Sequence, residues 1–337
     1  MSQIATDAQV RPREIIAAVR RLEAGDLVGL PTETVYGLAA DADNPQAVAK
    51  IYAAKGRPAD HPVIVHVHRQ ADLGHWAAAV PDTARQLAAA FWPGPLTLIL
   101  PRKPGVAEAC AGGQDSIGLR CPSHPVAQAV LALFKGGQGG LAAPSANRFG
   151  RISPTTAAHV RAELGPELLV LDGGACAVGI ESTIVDCTAQ PPRILRPGQL
   201  LADELAEVLG VSADALLRPA DGAPRVAGAL PAHYAPRTPL ALRTREAIHA
   251  ELQQPDAVAR RIGVLARHAP GPEPHAAWTQ LPDNPAAYAQ QLYAALRALD
   301  QAGLDQIWVE ALPSAPAWLA LRDRLSRAAQ GSGAGGS

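Results

Sequence analysis

Lys55 and Arg57 stand two residues apart in the run KGRPADHPVIVHV, after a helix-like stretch and just before Pro58. A compact ammonium beside a forked guanidinium suits a polyphosphate. Arginine grips two oxygens at once, and lysine neutralises charge. By itself such a pair is also what a solvated basic helix end looks like, where it satisfies the helix dipole. Three further polar stretches tip the balance toward phosphate. LPTETVYGLAADA, Leu30 to Ala42, carries Thr32, Glu33, Thr34 and Tyr36. APSANRFGRISPTT carries Ser145, Asn147, Arg151 and Ser153. GIESTIVD and RILRPG carry Ser182, Thr183 and Arg196. In α/β sheets ligands gather outside strand ends, so polar loops recurring there point to one shared pocket.

Taken singly, these residues say less. Ser145 and Asn147 fit ordinary turns or caps, although Ala143, Pro144 and Ala146 are small enough to let a ligand approach the backbone. His66 lies inside an apolar run, where a lone histidine is usually a satisfied core residue. His61, before Pro62, fits an exposed loop and a ligand contact equally. Glu33 is open to three roles: metal ligand, acid/base group, or partner of Lys55. There is no Walker A loop and no Gly-x-Gly-x-x-Gly after a strand. No Gly-x-Ser-x-Gly elbow occurs, which argues against a serine hydrolase. GGQGG, Gly136 to Gly140, reads as a flexible connection.

The elements that must position these residues are short and alternate between helix and strand. Helical spacing is expected over 13–24, 45–55, 81–90, 125–134 and 155–164. The second of these begins after Asn44, an N-cap followed by Pro at the first position. Buried strands are expected at 27–30, 62–67, 96–100, 116–120, 141–143, 168–172 and 183–186. The mixture predicts an α/β domain with a twisted sheet. After Gly198 a helix at 200–209 leads into a Pro/Gly/Ala-rich linker. A second α/β unit follows, with strands at 262–266 and 307–311 and helices at 286–302 and 318–329. That spacing predicts a small parallel sheet. The Gly/Ser-rich end reads as disordered.

Composition supports a globular reading. The chain has 337 residues, 48% apolar and 18% charged, with a formal net charge of −1. That suits two domains and demands neither nucleic acid nor an anionic membrane as partner. Cys110, Cys121, Cys176 and Cys187 form no Cys-x-x-Cys pair and lack zinc spacing, so reduced thiols are expected. Met1 to Arg13 has no apolar h-region, and no apolar run approaches a membrane span. The expectation is a soluble cytoplasmic protein without membrane contacts.

The order and spacing of LPTETVYGLAADA, KGRP, APSAN, SPTT, STIVD and RPG resemble the YrdC/Sua5 family over about residues 10–200. The family signature, Lys-x-Arg followed far downstream by Ser-x-Asn, falls on Lys55, Arg57, Ser145 and Asn147. HYAP, His233 to Pro236, and the second unit resemble the longer Sua5-type members. The resemblance implies a YrdC-type open twisted mixed sheet with helices at 10–200 and a helix and interdomain linker, acting as a lid, at 201–239. A smaller Rossmann-like α/β domain would occupy 240–329, and a disordered tail 330–337. It implies threonylcarbamoyl-AMP synthase activity, a nucleotidyltransferase joining L-threonine, bicarbonate or CO2, and ATP, with Mg²⁺ accompanying the triphosphate.

By the same resemblance, Thr34, His66, Arg120, Ala143 and Ser182 would hold threonine, with Arg120 on its carboxylate. Arg57, His61, Ser116, Ser145, Ser153 and Arg196 would hold ATP. Lys55 would neutralise phosphate charge, Asn147 orient the nucleotide, and Tyr234 close over it. No metal-ligating residue is implied. The product would feed the downstream t6A transferase machinery, with tRNA an indirect partner. His61 stands where the family usually has Asn. The runner-up is a non-catalytic RNA-binding or ribosome-associated protein of YrdC type. Hydrogenase-maturation carbamoyl transfer fits less well, since its acylphosphatase and zinc-finger segments are absent.

Overall fold

A computed structural model describes residues 10–218, 222–271 and 276–333. The chain divides into two compact units. The first comprises the chain up to Arg148 with Pro154–Ala177 and Glu181–Ala229. The second comprises Phe149–Ser153, Val178–Ile180 and the chain from Leu230 onward.

The first unit is built on nine strands: β1 (Val28–Leu30), β2 (Gly37–Asp41), β3 (Val65–Val67), β4 (Leu96–Pro101), β5 (Ser116–Arg120), β6 (Gly140–Ala142), β7 (Leu169–Val170), β8 (Thr183–Asp186) and β9 (Arg193–Arg196). They form one twisted mixed sheet in the order β7-β1-β2-β6-β3-β5-β4-β8-β9. β3 runs parallel to β5 and β4 to β8, whereas β4 and β5 are antiparallel.

Period-two alternation decides what each face does. Val65, Val67, Leu96, Leu98, Leu100, Ile117 and Leu119 join one buried cluster. They pack with Val48 and Ile51 of the helix Pro45–Lys55 and with Ala84 and Leu87 of the helix Asp82–Phe91. The intervening residues, Ile64, His66, Thr97, Ile99, Ser116, Gly118, Arg120, Ser182 and Ile184, face the other way. That second face carries the polar side chains.

Local chemistry fixes how the Lys55 helix begins and ends. Asn44 caps it by accepting from the amides of Gln46 and Ala47, as its type predicts. Gly56 ends it at φ +62°, a left-handed position that glycine adopts without a Cβ clash. The chain therefore turns sharply between Lys55 and Arg57.

Several elements differ from the sequence expectation. β2 lies in a stretch whose polar residues predict a loop; Gly, Leu, Ala, Ala and Asp are mostly weak strand formers, yet all five are buried between β1 and β6. Pairing on both sides overrides propensity there. Gly140 is no flexible link. It belongs to β6, and a Cβ would lie 2.5 Å from the Trp76 ring and 2.7 Å from Val65.

The second unit is a four-stranded parallel sheet: β10 (Leu240–Arg243), β11 (Ile262–Ala266), β12 (Ala277–Gln280) and β13 (Gln306–Glu310), in the order β10-β13-β11-β12. This is the expected Rossmann-like arrangement with two more strands than the sequence revealed. Ile248, Leu252, Ile262, Val264, Ala266 and Trp308 share its core. The helix Leu319–Gly331 continues two residues into the stretch expected to be a disordered tail, and the Ser332 hydroxyl accepts from the Leu240 amide at 2.9 Å. Residues 334–337 of that stretch lie outside the described residues.

All four cysteines are buried and none forms a disulfide. Burial pushes the Cys110 and Cys187 thiols up to about 12. Among the described residues no helix is long and apolar enough to cross a membrane.

Candidate active site

The loop between β1 and β2 organises the polar face. Thr32 folds it on itself, its hydroxyl donating to the Val35 carbonyl at 2.6 Å and lying 3.0 Å from the Thr34 hydroxyl. Thr34 is wholly buried. Tyr36 anchors the far end, donating to the Gly174 carbonyl at 2.7 Å and accepting from the Gly173 amide at 3.1 Å. Of the three roles open to Glu33, the structure favours that of an ion-pair partner, but with Arg120 instead of Lys55. Its carboxylate meets the Arg120 guanidinium at 2.6 Å and accepts from the Ser123 amide at 3.1 Å.

Strand pairing places the expected threonine ligands side by side. His66 is the register partner of Arg120, and Arg120 that of Thr97. Laterally paired residues point to the same face. The Thr97 hydroxyl lies 2.7 Å from that of Ser182. Arg196, from β9, donates to the Ser182 carbonyl at 3.0 and 3.1 Å and to its hydroxyl at 3.2 Å. His66, Arg120, Thr97 and Ser182 thus form a continuous row across β3, β5, β4 and the entry to β8, all buried. Ala143 follows β6 and ties to the same edge, its amide donating to the Ile64 carbonyl at 3.0 Å. Burial, and next the charge of Arg120, lower the His66 pKa to about 3. Its imidazole is therefore neutral at physiological pH.

The signature residues meet at the adjoining loops. The Lys55 ammonium donates to the carbonyls of Ser145 and Asn147, each at 2.5 Å. That loop is stitched to the first: the Ala146 amide donates to the Tyr36 carbonyl at 2.8 Å, and the Leu38 amide to Pro144 at 2.7 Å. Lys55 is buried, and its pKa is depressed well below the usual lysine value, first by burial and then by the charge of Arg57. Glu163 and Glu181 oppose that shift. Arg57 donates to the Pro62 carbonyl at 2.7 Å. His61, partly exposed, has its pKa lowered by burial and by Arg57.

Ser116 lines a half-open cavity on the same face. Ile64, Ile99, Gly118 and Ile184 line it, and residues 225–227 complete it. That linker segment is tied down. The Gln114 side-chain amide exchanges hydrogen bonds with the Arg225 backbone at 2.7 and 3.1 Å. The Arg225 guanidinium donates to Gly112 at 2.6 Å, and Arg196 donates to the Ala227 carbonyl at 2.7 Å. An apolar floor with one glycine suits a flat ring, and Arg225, which also lines the cavity, suits an attached anion.

Twelve of the fourteen expected site residues belong to the first unit; Ser153 and Tyr234 belong to the second. Within that unit Ser153 is buried, and the Tyr234 ring stacks on Tyr293 with centroids 6.0 Å apart. Thr97, Gly118, Gln114 and Arg225 were missed. Thr97 had a signal: in LTLIL it is the polar residue on the alternate face of an otherwise apolar strand. Among the described residues, no group of three or more His, Cys, Asp or Glu side chains could hold a metal ion.

Comparison with known proteins matches this architecture. Residues 20–198 match the Sua5/YciO/YrdC family, described as telomere recombination, and residues 201–330 match the threonylcarbamoyl-AMP synthase C-terminal domain. A threonylcarbamoyl-AMP synthase of Bacillus subtilis is 38% identical over 94% of this chain and 93% of its own length. One from Pyrococcus abyssi is 36% identical, with 91% of each chain covered. The crystal structure of P. abyssi Sua5 complexed with L-threonine superposes with a TM-score of 0.84 at 34% identity, covering 94% of both chains.

Proposed function

The chain belongs to the Sua5/YrdC family, and from that premise we propose that it is an enzyme that makes threonylcarbamoyl-AMP from L-threonine, bicarbonate or CO2, and ATP, releasing pyrophosphate. The observation that carries this reading is the buried row His66, Arg120, Thr97 and Ser182, lying on the same sheet face as the cavity beside Ser116.

The chemistry brings anions together. Threonine's neutral amine first forms a carbamate, from CO2 with release of a proton or from bicarbonate with release of water, and one oxygen of that carbamate then attacks the α-phosphorus of ATP. The bond to the β-phosphate oxygen breaks, and pyrophosphate leaves with the electron pair. Such a reaction needs cations and fixed donors more than a covalent nucleophile. Arg120, held by Glu33, offers its guanidinium to threonine's carboxylate. Neutral His66 and the Ser182 hydroxyl offer hydrogen bonds without adding charge. Thr34 and Ala143 complete the threonine wall.

The base would lie in the cavity over Gly118 and beside Ser116. Arg57, His61, Ser145 and Arg196 would hold the phosphates and sugar, Lys55 would neutralise phosphate charge, and Asn147 would orient the nucleotide. Ser153 and Tyr234 are the remaining candidate ATP contacts. Mg²⁺ would arrive with the triphosphate, held by phosphate oxygens and water, and shield the charge of the leaving pyrophosphate. Among the described residues no group of three or more His, Cys, Asp or Glu could hold it, and Glu33 is engaged by Arg120 and Ser123. In this reading the protein is a cytoplasmic nucleotidyltransferase whose product feeds t6A modification of tRNA.

The test is pyrophosphate release by the purified protein with ATP and Mg²⁺, with threonine or bicarbonate omitted in turn. Release that needs both is expected. Release without threonine would replace the reading with plain ATP hydrolysis.

A further inference from the structure

Residues 225–227 follow the last strand of the first sheet by almost thirty positions, yet they pack within the first unit and wall the cavity beside Ser116. Gln114 holds them there. Its side-chain amide accepts from the Arg225 amide at 2.7 Å and donates to the Arg225 carbonyl at 3.1 Å, as a neighbouring strand would. The same amide nitrogen lies 3.3 Å from the Ala111 carbonyl, so one side chain joins two segments of the first unit.

A second contact aims the Arg225 side chain. Its guanidinium donates to the Gly112 carbonyl at 2.6 Å. Gly112, at φ +59°, lies hard against the next loop: a Cβ there would stand 2.4 Å from the Asp60 carbonyl oxygen and 2.9 Å from the Pro62 nitrogen. Pro62 lines the cavity, and its carbonyl accepts from Arg57 at 2.7 Å. Arg57 and Arg225 therefore converge on the loop that carries His61. The imidazole feels both charges. Burial lowers its pKa most and Arg57 next; Arg225 adds to the shift, and exposed Asp60 opposes it.

We propose that Arg225 is a further phosphate contact of the nucleotide, acting beside Arg57, and that Gln114 is the positioning residue that sets it. This rests on the functional reading above, in which the cavity holds the base and Arg57 and His61 lie along the phosphates. Every other side chain lining the cavity is uncharged, so Arg225 is the charge that the cavity itself presents. Arg225 is exposed, which leaves its fork room for phosphate oxygens beside the Gly112 carbonyl. Two guanidiniums brought toward one loop repel each other, and an anion bound beside them turns that repulsion into attraction. The threonine ligands Thr34, His66, Arg120, Ala143 and Ser182 make no part of this cavity. Loss of Arg225 should therefore weaken ATP and spare threonine.

The experiment measures ATP·Mg²⁺ and L-threonine affinities by calorimetry, with thermal unfolding in parallel, for wild type, Arg225→Gln, Arg225→Lys, Gln114→Leu and the double variant Gln114→Leu/Arg225→Gln. Arg225→Gln, which keeps length and removes charge, should weaken ATP by about tenfold or more while threonine stays within about twofold. Arg225→Lys, which keeps the charge without the fork, should recover part of the loss. Gln114→Leu should weaken ATP by about fivefold in the wild-type background and by no more than about twofold once Arg225 is gone, because it acts through that residue. A folded Arg225→Gln protein with wild-type ATP affinity overturns the proposal. So does a loss that Arg225→Lys fails to mend, since that makes the side chain a matter of shape and not of charge. A Gln114→Leu effect that is absent, or equal in both backgrounds, removes Gln114 from the assignment. Wild-type protein that binds threonine but no ATP would overturn the functional reading itself, before any variant is compared.

Discussion

Glu33 and Arg120 meet at 2.6 Å with both side chains almost wholly enclosed, 8% and 4% exposed. Eighty-seven residues apart in sequence, they join the β1–β2 loop to the middle of the sheet. A buried pair contributes little over an apolar substitute, but removing one partner leaves a charge with no compensation.

Glu33→Gln should therefore destabilise the first unit by about 3 kcal/mol, the lower end of the range for breaking a buried pair. Threonine affinity should fall too, because Arg120 loses the group that aims it. Urea denaturation and threonine titration check both. A loss below about 1 kcal/mol would place the pair among solvated ones.

The His66 imidazole gives a pH signature. Its pKa is lowered to about 3 by burial and by Arg120, against about 6.5 in an unfolded chain. Between those values the unfolded chain binds the proton and the folded one does not. Stability should hold above about pH 6.5 and fall as pH drops toward 3, by at most about 1.4 kcal/mol per pH unit from this group. His66→Gln should flatten that slope. Denaturation at pH 7 and pH 5 on both proteins measures it; equal slopes would mean that His66 protonates freely in the folded state.

Local signals made much of this legible. β4 and β5 were expected within one residue of their bounds because LTLIL and SIGLR are compact strand-like runs flanked by turns. The Asn44-Pro45 cap fixed the start of the Lys55 helix. β2 was missed because its burial comes from neighbours distant in sequence, which no window of Gly and Ala reveals. β10 and β12 were missed for a related reason: each is four residues long, at the edge of its sheet. The signature residues were found by type and order, but their partners were not. That Glu33 turns to Arg120 and Lys55 to two carbonyls depends on chain crossings that only the fold supplies.

Gly118 keeps the cavity floor low. A Cβ there would already stand 3.2 Å from the Ile99 side chain and 3.5 Å from Ile64 and Thr97. Gly118→Val should push branched methyls into the cavity proposed for the nucleotide and raise KM for ATP by about tenfold, a cost of roughly 1.4 kcal/mol. KM for threonine should change far less. An unchanged ATP KM would move the base out of this cavity.

Lys55→Ala tests whether the signature lysine acts by charge alone. Its ammonium sits on the carbonyls of Ser145 and Asn147, so alanine removes both a cation and the tie that shapes the Ser145–Asn147 loop. Adenylate formation should fall by about 100-fold or more, as when one preorganised donor is lost from a reacting centre. Arg57→Ala should fall comparably; its guanidinium donates to the Pro62 carbonyl. Hydrogen exchange at 145–147 separates the two causes. Faster exchange in Lys55→Ala alone, with both variants inactive, assigns Lys55 a structural tie in addition to its charge. Pyrophosphate release within about tenfold of wild type in either variant would remove that residue from the phosphate clamp.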